Sequence, residues 1–573
     1  MASRSEIVVR FAGEGGQGVV TAAEMLARAA TGVGFHALTF ATFPSQILGG
    51  PTWTQARVAR DPVHSPGDAI DILVAFNDEA YQTHRDEVRD SGVILLDPSV
   101  TPDPADTVHR CIIVPFDELA KQTGESRAAN MVVMGGLSRL INMPVQYFKD
   151  FVAERFAGRD KIIEANHTAL DLGFAHVAEE QPISDLGKPE KIKFDQLFIK
   201  GNEAVSVGAM HAGIDVYIGY PISPATPILV YMERNLVGKG KVAIQASSEI
   251  EAIAGIVGAG YAGKKSMTAT SGPGFTLMGE AIGLAWMAEI PCVVVDVQRG
   301  GPATGLPTKT EQSDLFTALS PAHGDARIPV IAPGSVEECF HASVHAFNWA
   351  ERYQGPVIVL SEHTLAERAQ NIRKPDLSKV KVEGRKVYKG DNGYLRYEAS
   401  EMSPMPVPGG AGAYVANGSE HDPYGDTTHQ PMRHVQMTER RFSKLKLLED
   451  GNYESENTSA NVALVPWGGS KGSAIEAYNL LAEEGVDIGW YYTMFINPLP
   501  PAMLEELRSK DLVLVPELNY LGQFASYLRS LGVKAEAITQ YTGLPFGTRD
   551  LAKRVKEALA PTKKSKQSQA VKA

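Results

Sequence analysis

Short apolar runs alternate with stretches of helical period along most of the chain. Glu6 to Phe11 is apolar enough for a buried strand, and Val19 to Ala30 places its apolar residues at helical spacing. Ile70 to Phe76 and Gly92 to Asp97 predict two further buried strands, and Ala128 to about Phe156 reads as helical. A polar, proline-containing stretch near Gln181 to Lys191 predicts a linker. A second unit follows: helix from Glu203 to Gly213, strand at Val216 to Gly219, helix from Thr226 to Leu236. The runs Cys292 to Val297 and Pro356 to Leu360 extend this βαβ series. A third unit restarts at Asn461 to Pro466, continues through a helix from Gly472 to Glu484, and reaches a strand at Leu512 to Pro516. Continuous apolar strands separated by helices predict an α/β protein with doubly wound, mostly parallel sheets.

Between about Lys374 and Ser459 the period is lost among Gly, Pro, Met, His and charged residues, which predicts an insertion or wrap-around arm. The tail from Pro561 holds four lysines and no acid, a composition that predicts disorder. At 573 residues the chain exceeds what one core supports. The expected division is 1–185, a linker at 186–195, 196–375, the arm at 376–459, 460–560 and the tail 561–573. A net charge of −12 argues against general nucleic-acid binding. Three well-separated cysteines provide neither a disulfide framework nor the closely spaced thiolates of a zinc ribbon or iron–sulfur cluster. No metal ligand set is expected from this chain. The absence of an apolar signal core and of an 18-residue apolar run predicts a cytoplasmic protein without a membrane span.

The first glycine motif, Gly13-Glu14-Gly15-Gly16-Gln17-Gly18, follows a strand and opens a helix. Glycine admits phosphate close to backbone N–H groups, and a helix N-terminus favours negative charge. A nicotinamide dinucleotide site also wants an acid about 20 residues further on for the ribose, yet His36 to Gly50 contains neither Asp nor Glu. Coenzyme A, or a tight turn with no ligand, fits the loop better. The pair Leu48-Gly49-Gly50-Pro51 could face the same crevice.

The central unit carries denser chemistry. Tyr220-Pro221-Ile222-Ser223-Pro224 stands at the end of a strand, where doubly wound sheets bind ligands. Ser223 also reads as an N-cap, with Pro224 at the first helical position. Ser248-Glu249 precedes a helix weakened by Gly255, Gly258, Gly260 and Gly263, which makes sense if something packs within backbone distance. Glu249 could equally be an acid favoured by the helix dipole. Arg299, followed by Gly300-Gly301-Pro302-Ala303-Thr304-Gly305-Leu306-Pro307-Thr308, predicts a rigid loop presenting a guanidinium to an anion rather than a surface ion pair.

Taken together, these motifs resemble the 2-oxoacid:ferredoxin oxidoreductases, specifically an α subunit with an N-terminal γ-type domain fused to it. The resemblance covers nearly the whole chain. Tyr220-Pro221-Ile222-Ser223-Pro224 looks like the family's Tyr-Pro-Ile-Thr-Pro, with serine in place of threonine. Arg299 through Glu311 resembles the 2-oxoglutarate-type substrate loop, and Gly418 to Asp422, Pro516 to Asn519 and Gly522-Gln523 match further along. The resemblance implies a γ-type domain over 1–185, a pyrimidine-type thiamine-diphosphate fold over 196–375 and a transketolase C-terminal-like domain over 460–560. It implies that Glu249 hydrogen-bonds the aminopyrimidine of thiamine diphosphate, with Pro221, Ile222, Ser248 and Ser271 lining the coenzyme. Ser223 and Arg299 would then bind the substrate's carboxylate and keto oxygen. Thr304, Thr308 and Lys309 would contact the distal substrate carboxylate or coenzyme A, and Gly13, Gly15, Gly16 and Gly18 form the candidate coenzyme A loop.

The family's Mg²⁺–diphosphate site needs Gly-Asp-Gly, and no Gly-Asp pair here continues so. An obligate β subunit is therefore expected to carry Mg²⁺, the diphosphate and a 4Fe–4S cluster, in an (αβ)₂ heterotetramer that passes electrons to ferredoxin. The implied reaction interconverts 2-oxoglutarate plus coenzyme A with succinyl-coenzyme A plus carbon dioxide, and run backwards it is the reductive carboxylation of a reductive TCA cycle. Pyruvate and branched 2-oxoacids are the alternative substrates. A non-catalytic assembly subunit and an NAD-dependent dehydrogenase are the alternatives of another class.

Overall fold

The computed structural model describes residues 5–42, 50–125, 128–189, 192–238, 240–391, 393–398 and 402–560. Leu48, Gly49 and the tail from 561 lie outside them. Among the described residues three sheets organise the chain, with eight, seven and five strands.

The first sheet runs Arg110–Ile113, Val88–Leu96, Ile70–Ala75, Glu6–Glu14, Pro51–Ala59, His36–Thr42, Ala369–Arg373, Gln196–Lys200. Its first four strands are parallel, while Pro51–Ala59 pairs antiparallel with both Glu6–Glu14 and His36–Thr42. The glycine loop thus opens the helix Val19–Gly32, but the strand after that helix does not pair with Glu6–Glu14. That is not the parallel βαβ neighbour relation of a dinucleotide fold. The strands Gln196–Lys200 and Ala369–Arg373, from the middle of the sequence, complete this sheet. Asn371 fastens the seam, its Oδ1 accepting from Ala37 N–H at 2.9 Å.

The second sheet is the central one. Its order is Phe495–Asn497, Val330–Ile331, Pro356–Glu362, Cys292–Gln298, Ser266–Thr270, Val216–Gly219, Val242–Gln245. All pairs are parallel except the one made by Phe495–Asn497. Burial on both faces explains the unbroken Val293-Val294-Val295 run. The third sheet, built around Val462–Leu464 and Leu512–Glu517, stands beside it. The motif Glu517-Leu518-Asn519 with Gly522-Gln523 is the clasp between them. Gln312 N–H donates to Leu518 O at 2.7 Å, Leu518 N–H donates to Gln312 Oε1 at 2.9 Å, and Gln523 Nε2 donates to Ser313 O at 2.7 Å. The buried Glu517 carboxylate accepts from Phe524 and Ala525 N–H at 2.9 and 3.1 Å, satisfying the start of the helix Gln523–Ser530.

The predicted arm is ordered by charge rather than by apolar period. It contains the helix Pro431–Ser443, which the sequence reading misses. Arg396, Arg440 and Lys444 of the arm all converge on Glu289, and all four side chains are buried. Glu289 holds a left-handed φ of 54° there. Arg385 adds a second buried pair with Glu351 at 2.9 Å. His421, from the matched Gly418–Asp422 segment, stacks on Tyr397 at 4.4 Å and binds Met287 O, so it fastens the arm.

Candidate functional site

Sheet order decides which motifs meet. The strands Cys292–Gln298, Ser266–Thr270, Val216–Gly219 and Val242–Gln245 are consecutive neighbours and run the same way. Their exits, namely Arg299, Ser271, Tyr220 to Ser223, and Ser248-Glu249, therefore lie side by side along one carboxyl edge. The topology alone gathers four scattered motifs.

Glu249 opens the helix Glu249–Tyr261 and is buried. Ser248 is the N-cap, its Oγ accepting from Glu251 N–H at 3.2 Å, so its hydroxyl is spent on the helix. Among the described residues the Glu249 carboxylate accepts no hydrogen bond. A methyl group on Gly274 would overlap both Glu249 Oε1 and Thr270 Oγ1. Glycine at 274 therefore leaves the carboxylate its place beside the neighbouring strand. Ser271, fully buried, has an Oγ without a partner, and so has Thr268. A carboxylate to which no described residue donates is open to an external donor, and the two orphaned hydroxyls are open in the same way. Gly274→Ala should push the Glu249 carboxylate aside and cut turnover of the assembled enzyme about 10²-fold, checked by steady-state dye reduction.

Ser223 is not a helix cap. The helix there is Thr226–Asn235, its N-cap position is Ala225, and Pro227 rather than Pro224 lies in the first turn. Ile222 O accepts from Ala225 and Thr226 N–H, so a backbone turn replaces the expected side-chain cap. Ser223 is exposed as a result, while Pro221 and Ile222 are half-buried beside it. Arg299 is 8 % exposed and forms no ion pair among the described residues. Its Nη1 donates to Ser223 O at 2.7 Å and its Nη2 to Thr304 O at 3.4 Å, while Nε is unpartnered. One guanidinium thus ties the Ser223 turn to the Thr304 loop without closing a direct ion pair among the described residues. Burial lowers its pKa against the pull of Asp314, but an arginine stays cationic.

Thr308 shares with Ser223 a cleft of about 930 Å³ that Arg28, Lys200, Arg234 and His363 also line. Lys309 is half-buried, packs its stem under Gly543, and has its pKa lowered by burial. The Gly13–Gly18 loop lies apart from this edge, on the first sheet. Gly16 and Gly18 have φ of 105° and 78°, the conformation glycine favours. Three of its N–H groups are already used: Glu14 N–H by Gln17 Oε1 at 2.7 Å, Gly15 N–H by Gly50 O at 3.3 Å, and Gln17 N–H by Glu14 O at 3.1 Å.

Two buried acids on the same edge escaped the sequence reading. Burial pushes Glu362 up to about 7 against Arg368, and a methyl on Gly469 would overlap its carboxyl. Asp296, within the central strand, faces Asp314. An acid inside a valine run was the available signal.

The comparisons with known proteins bear on the same residues. Residues 207–440 match the family model described as pyruvate flavodoxin/ferredoxin oxidoreductase, thiamine diphosphate binding, and 8–176 match pyruvate ferredoxin/flavodoxin oxidoreductase. The α subunit of 2-oxoacid:ferredoxin oxidoreductase 2 from Aeropyrum pernix is 30% identical over 97% of this chain and 98% of its own length. The chain belongs to the 2-oxoacid:ferredoxin oxidoreductases, as an α-type subunit. The 2-oxoglutarate synthase subunit KorA of Methanocaldococcus jannaschii is 37% identical over 60% of this chain and 93% of its own. Among solved structures, the 2-oxoglutarate:ferredoxin oxidoreductase from Magnetococcus marinus, with 2-oxoglutarate, coenzyme A and succinyl-CoA bound, superposes with a TM-score of 0.91. It is 36% identical, over 97% of this chain and all of that one. The family is an oxidoreductase family, and the α/β fold with a thiamine-diphosphate-binding unit is the one expected.

Proposed function

We propose that this chain is the α subunit of a coenzyme A-acylating 2-oxoglutarate:ferredoxin oxidoreductase, active only with a β subunit in an (αβ)₂ assembly. The observation that carries the reading is the buried Glu249 carboxylate, unsatisfied by its own chain, on the same sheet edge as Ser223 and the unpaired Arg299. The reaction consumes 2-oxoglutarate, coenzyme A and two oxidised ferredoxins. It yields succinyl-coenzyme A, carbon dioxide, two reduced ferredoxins and a proton, and run backwards it fixes carbon dioxide. Pyruvate and branched 2-oxoacids are the competing substrates.

The site's chemistry fits thiamine diphosphate. A partnerless carboxylate beside Gly274 and orphaned hydroxyls on Ser271 and Thr268 are what an aminopyrimidine with several donors and acceptors would satisfy. When bound, the coenzyme supplies the carbon nucleophile for the keto group and the electron sink after decarboxylation. Glu249 would hold a proton at a ring nitrogen, with Pro221, Ile222 and Ser248 shaping the walls. Arg299 would bind the 1-carboxylate of the substrate, and the Ser223 hydroxyl would donate to the keto oxygen. Thr304, Thr308 and Lys309 are assigned to the distal carboxylate or the acyl acceptor. The cleft of about 930 Å³ that reaches Ser223 and Thr308 offers coenzyme A an approach, and Arg28 and Arg234 along it suit phosphates, while Lys200 is already paired with Glu24 and Glu367. The Gly13–Gly18 loop is retained as a second candidate for its phosphates.

The diphosphate, Mg²⁺ and 4Fe–4S cluster are assigned to the β subunit. Ile250 at 58% and Leu277 at 53% exposure flank Glu249 and Gly274, and Tyr220 is exposed at the same edge. Large apolar side chains around a buried acid suit a face that a partner covers. The deciding experiment compares 2-oxoglutarate, pyruvate and 2-oxoisovalerate as substrates for viologen reduction by the reconstituted complex. A kcat/KM for 2-oxoglutarate at least about tenfold above the others supports the assignment. Preference for another acid would overturn the substrate, and no turnover of any would overturn the reaction.

A further inference from the structure

Asp296 lies in the central strand Cys292–Gln298 between Thr270 and Leu360 of its neighbours and is fully buried. Neither of its oxygens has a hydrogen-bond donor. Asp314, on the loop that returns after Arg299, presents its carboxyl to Asp296, and its buried Oδ2 is also without a donor. Its place is set by backbone: Asp314 N–H donates to Gln298 Oε1 at 3.1 Å, and Gly272 leaves it room, since a methyl there would come within 2.9 Å of Oδ2. Two carboxylates are acceptors only, so they face each other in a dry interior when one carries a proton and donates it to the other.

Two charged groups act on the pair, both through Asp314: Glu311, which raises its carboxyl, and Arg299, which lowers it by less. Arg299 follows the same strand, forms no ion pair among the described residues, and feels Asp314 as its counter-charge. Thr268, Thr270 and Ser271 on and after the adjoining strand are uncharged. Glu362 lies two residues beyond Leu360 on the far strand, and Glu249 stands across Thr270 and Gly274.

We infer that Asp296 and Asp314 are positioning residues for Arg299, a carboxyl pair sharing one proton whose single negative charge sets how strongly the guanidinium attracts the substrate's carboxylate. This rests on the reading that Arg299 binds that carboxylate. With one proton, the pair carries one charge and tempers Arg299; with two, it is neutral and Arg299 pulls harder. Burial, with Glu311, raises Asp314 to about 6 against Asp296 and Arg299, and burial and Asp314 raise Asp296 well above the usual range. The second proton therefore arrives as the pH falls through about 6.

The test measures KM for 2-oxoglutarate and kcat of the reconstituted αβ complex from about pH 5 to about pH 8, in the wild type, Asp314→Asn, Asp296→Asn and Arg299→Met. The wild type should lose KM by about threefold to tenfold as the pH drops through the step. Asp314→Asn leaves Asp296 as the one carboxyl of the pair, and its full burial favours the neutral acid, so this variant should hold the low-pH KM across the range with kcat within about twofold. Asp296→Asn donates an amide hydrogen to Asp314 and should move the step to lower pH; it decides the matter if Asp314→Asn does not assemble. A purely structural pair would leave the step of the wild type intact in both variants, and that result would overturn the inference. Arg299→Met separates the two levels. An unchanged KM there would sink the carboxylate-binding role itself, whereas a KM raised about 30-fold or more with unmoved steps in the aspartate variants would sink only the proton-sharing pair.

Discussion

Glu249→Gln in the assembled enzyme is expected to lower kcat about 10³-fold while the complex and its bound coenzyme are retained. The amide keeps the size and burial of the side chain, so the helix Glu249–Tyr261, the Ser248 cap and the packing of Gly274 stay as they are. What changes is the proton. A carboxyl can hold or release one at the aminopyrimidine ring nitrogen, and an amide cannot. The proposed duty is compatible with its surroundings, because no described residue donates to its oxygens and Ser248 rather than Glu249 caps the helix. An assembly role would predict turnover close to wild type. Glu249→Ala should do as badly and also weaken the coenzyme, because it opens a cavity beside Thr270.

The second large effect concerns stability. Glu289→Gln should destabilise the protein by about 3–5 kcal/mol, because it removes the buried carboxylate on which Arg396, Arg440 and Lys444 converge. Thermal denaturation of the complex should show a midpoint lower by about 6 °C or more, and an unchanged midpoint would contradict the role given to this cluster. Burial alone would raise the Glu289 carboxyl, but Lys444, Arg440 and Arg396 outweigh it and hold it well below the usual range. Its contribution is therefore present above the unfolded carboxylate value and fades as acid titrates the folded one. Lys444 has the opposite sign. Burial lowers its ammonium to about 7 in the fold, against Glu289. Between about pH 7 and about pH 10 the unfolded chain binds the extra proton, so stability rises with pH across that window. Lys444→Met should flatten that rise.

Much of this architecture is written in local pattern. The valine run at 293–295, the strand before Tyr220 and the glycine-rich helix after Glu249 mark a parallel sheet and the edge that carries the chemistry. Arg299 was legible too, since a Gly-Gly-Pro loop leaves a guanidinium little freedom, and the structure finds it buried without an ion pair among the described residues. The rest depended on contacts distant in sequence. Ser223 reads as a cap because serine followed by proline usually is one, but the turn closes through Ile222 O and the helix starts later. The strands Gln196–Lys200 and Ala369–Arg373 join the first sheet although the sequence assigns them to the second unit's flanks, since partners as distant as Leu38 and Gln370 leave no local trace. The arm's helix Pro431–Ser443 was hidden because charge rather than apolar stripe holds it, through Arg440 to Glu289 and Arg441 to Glu420. Asp296 looked like one more strand residue; only the fold shows that Asp314 returns to face it.

One measurement bears most directly on the claim that the coenzyme site is split between two chains. The purified α chain, the β subunit, and the two mixed are each supplied with thiamine diphosphate, Mg²⁺, coenzyme A and 2-oxoglutarate, and viologen reduction is followed. Turnover should appear in the mixture and in neither chain alone. Full activity from the isolated α chain would contradict the account.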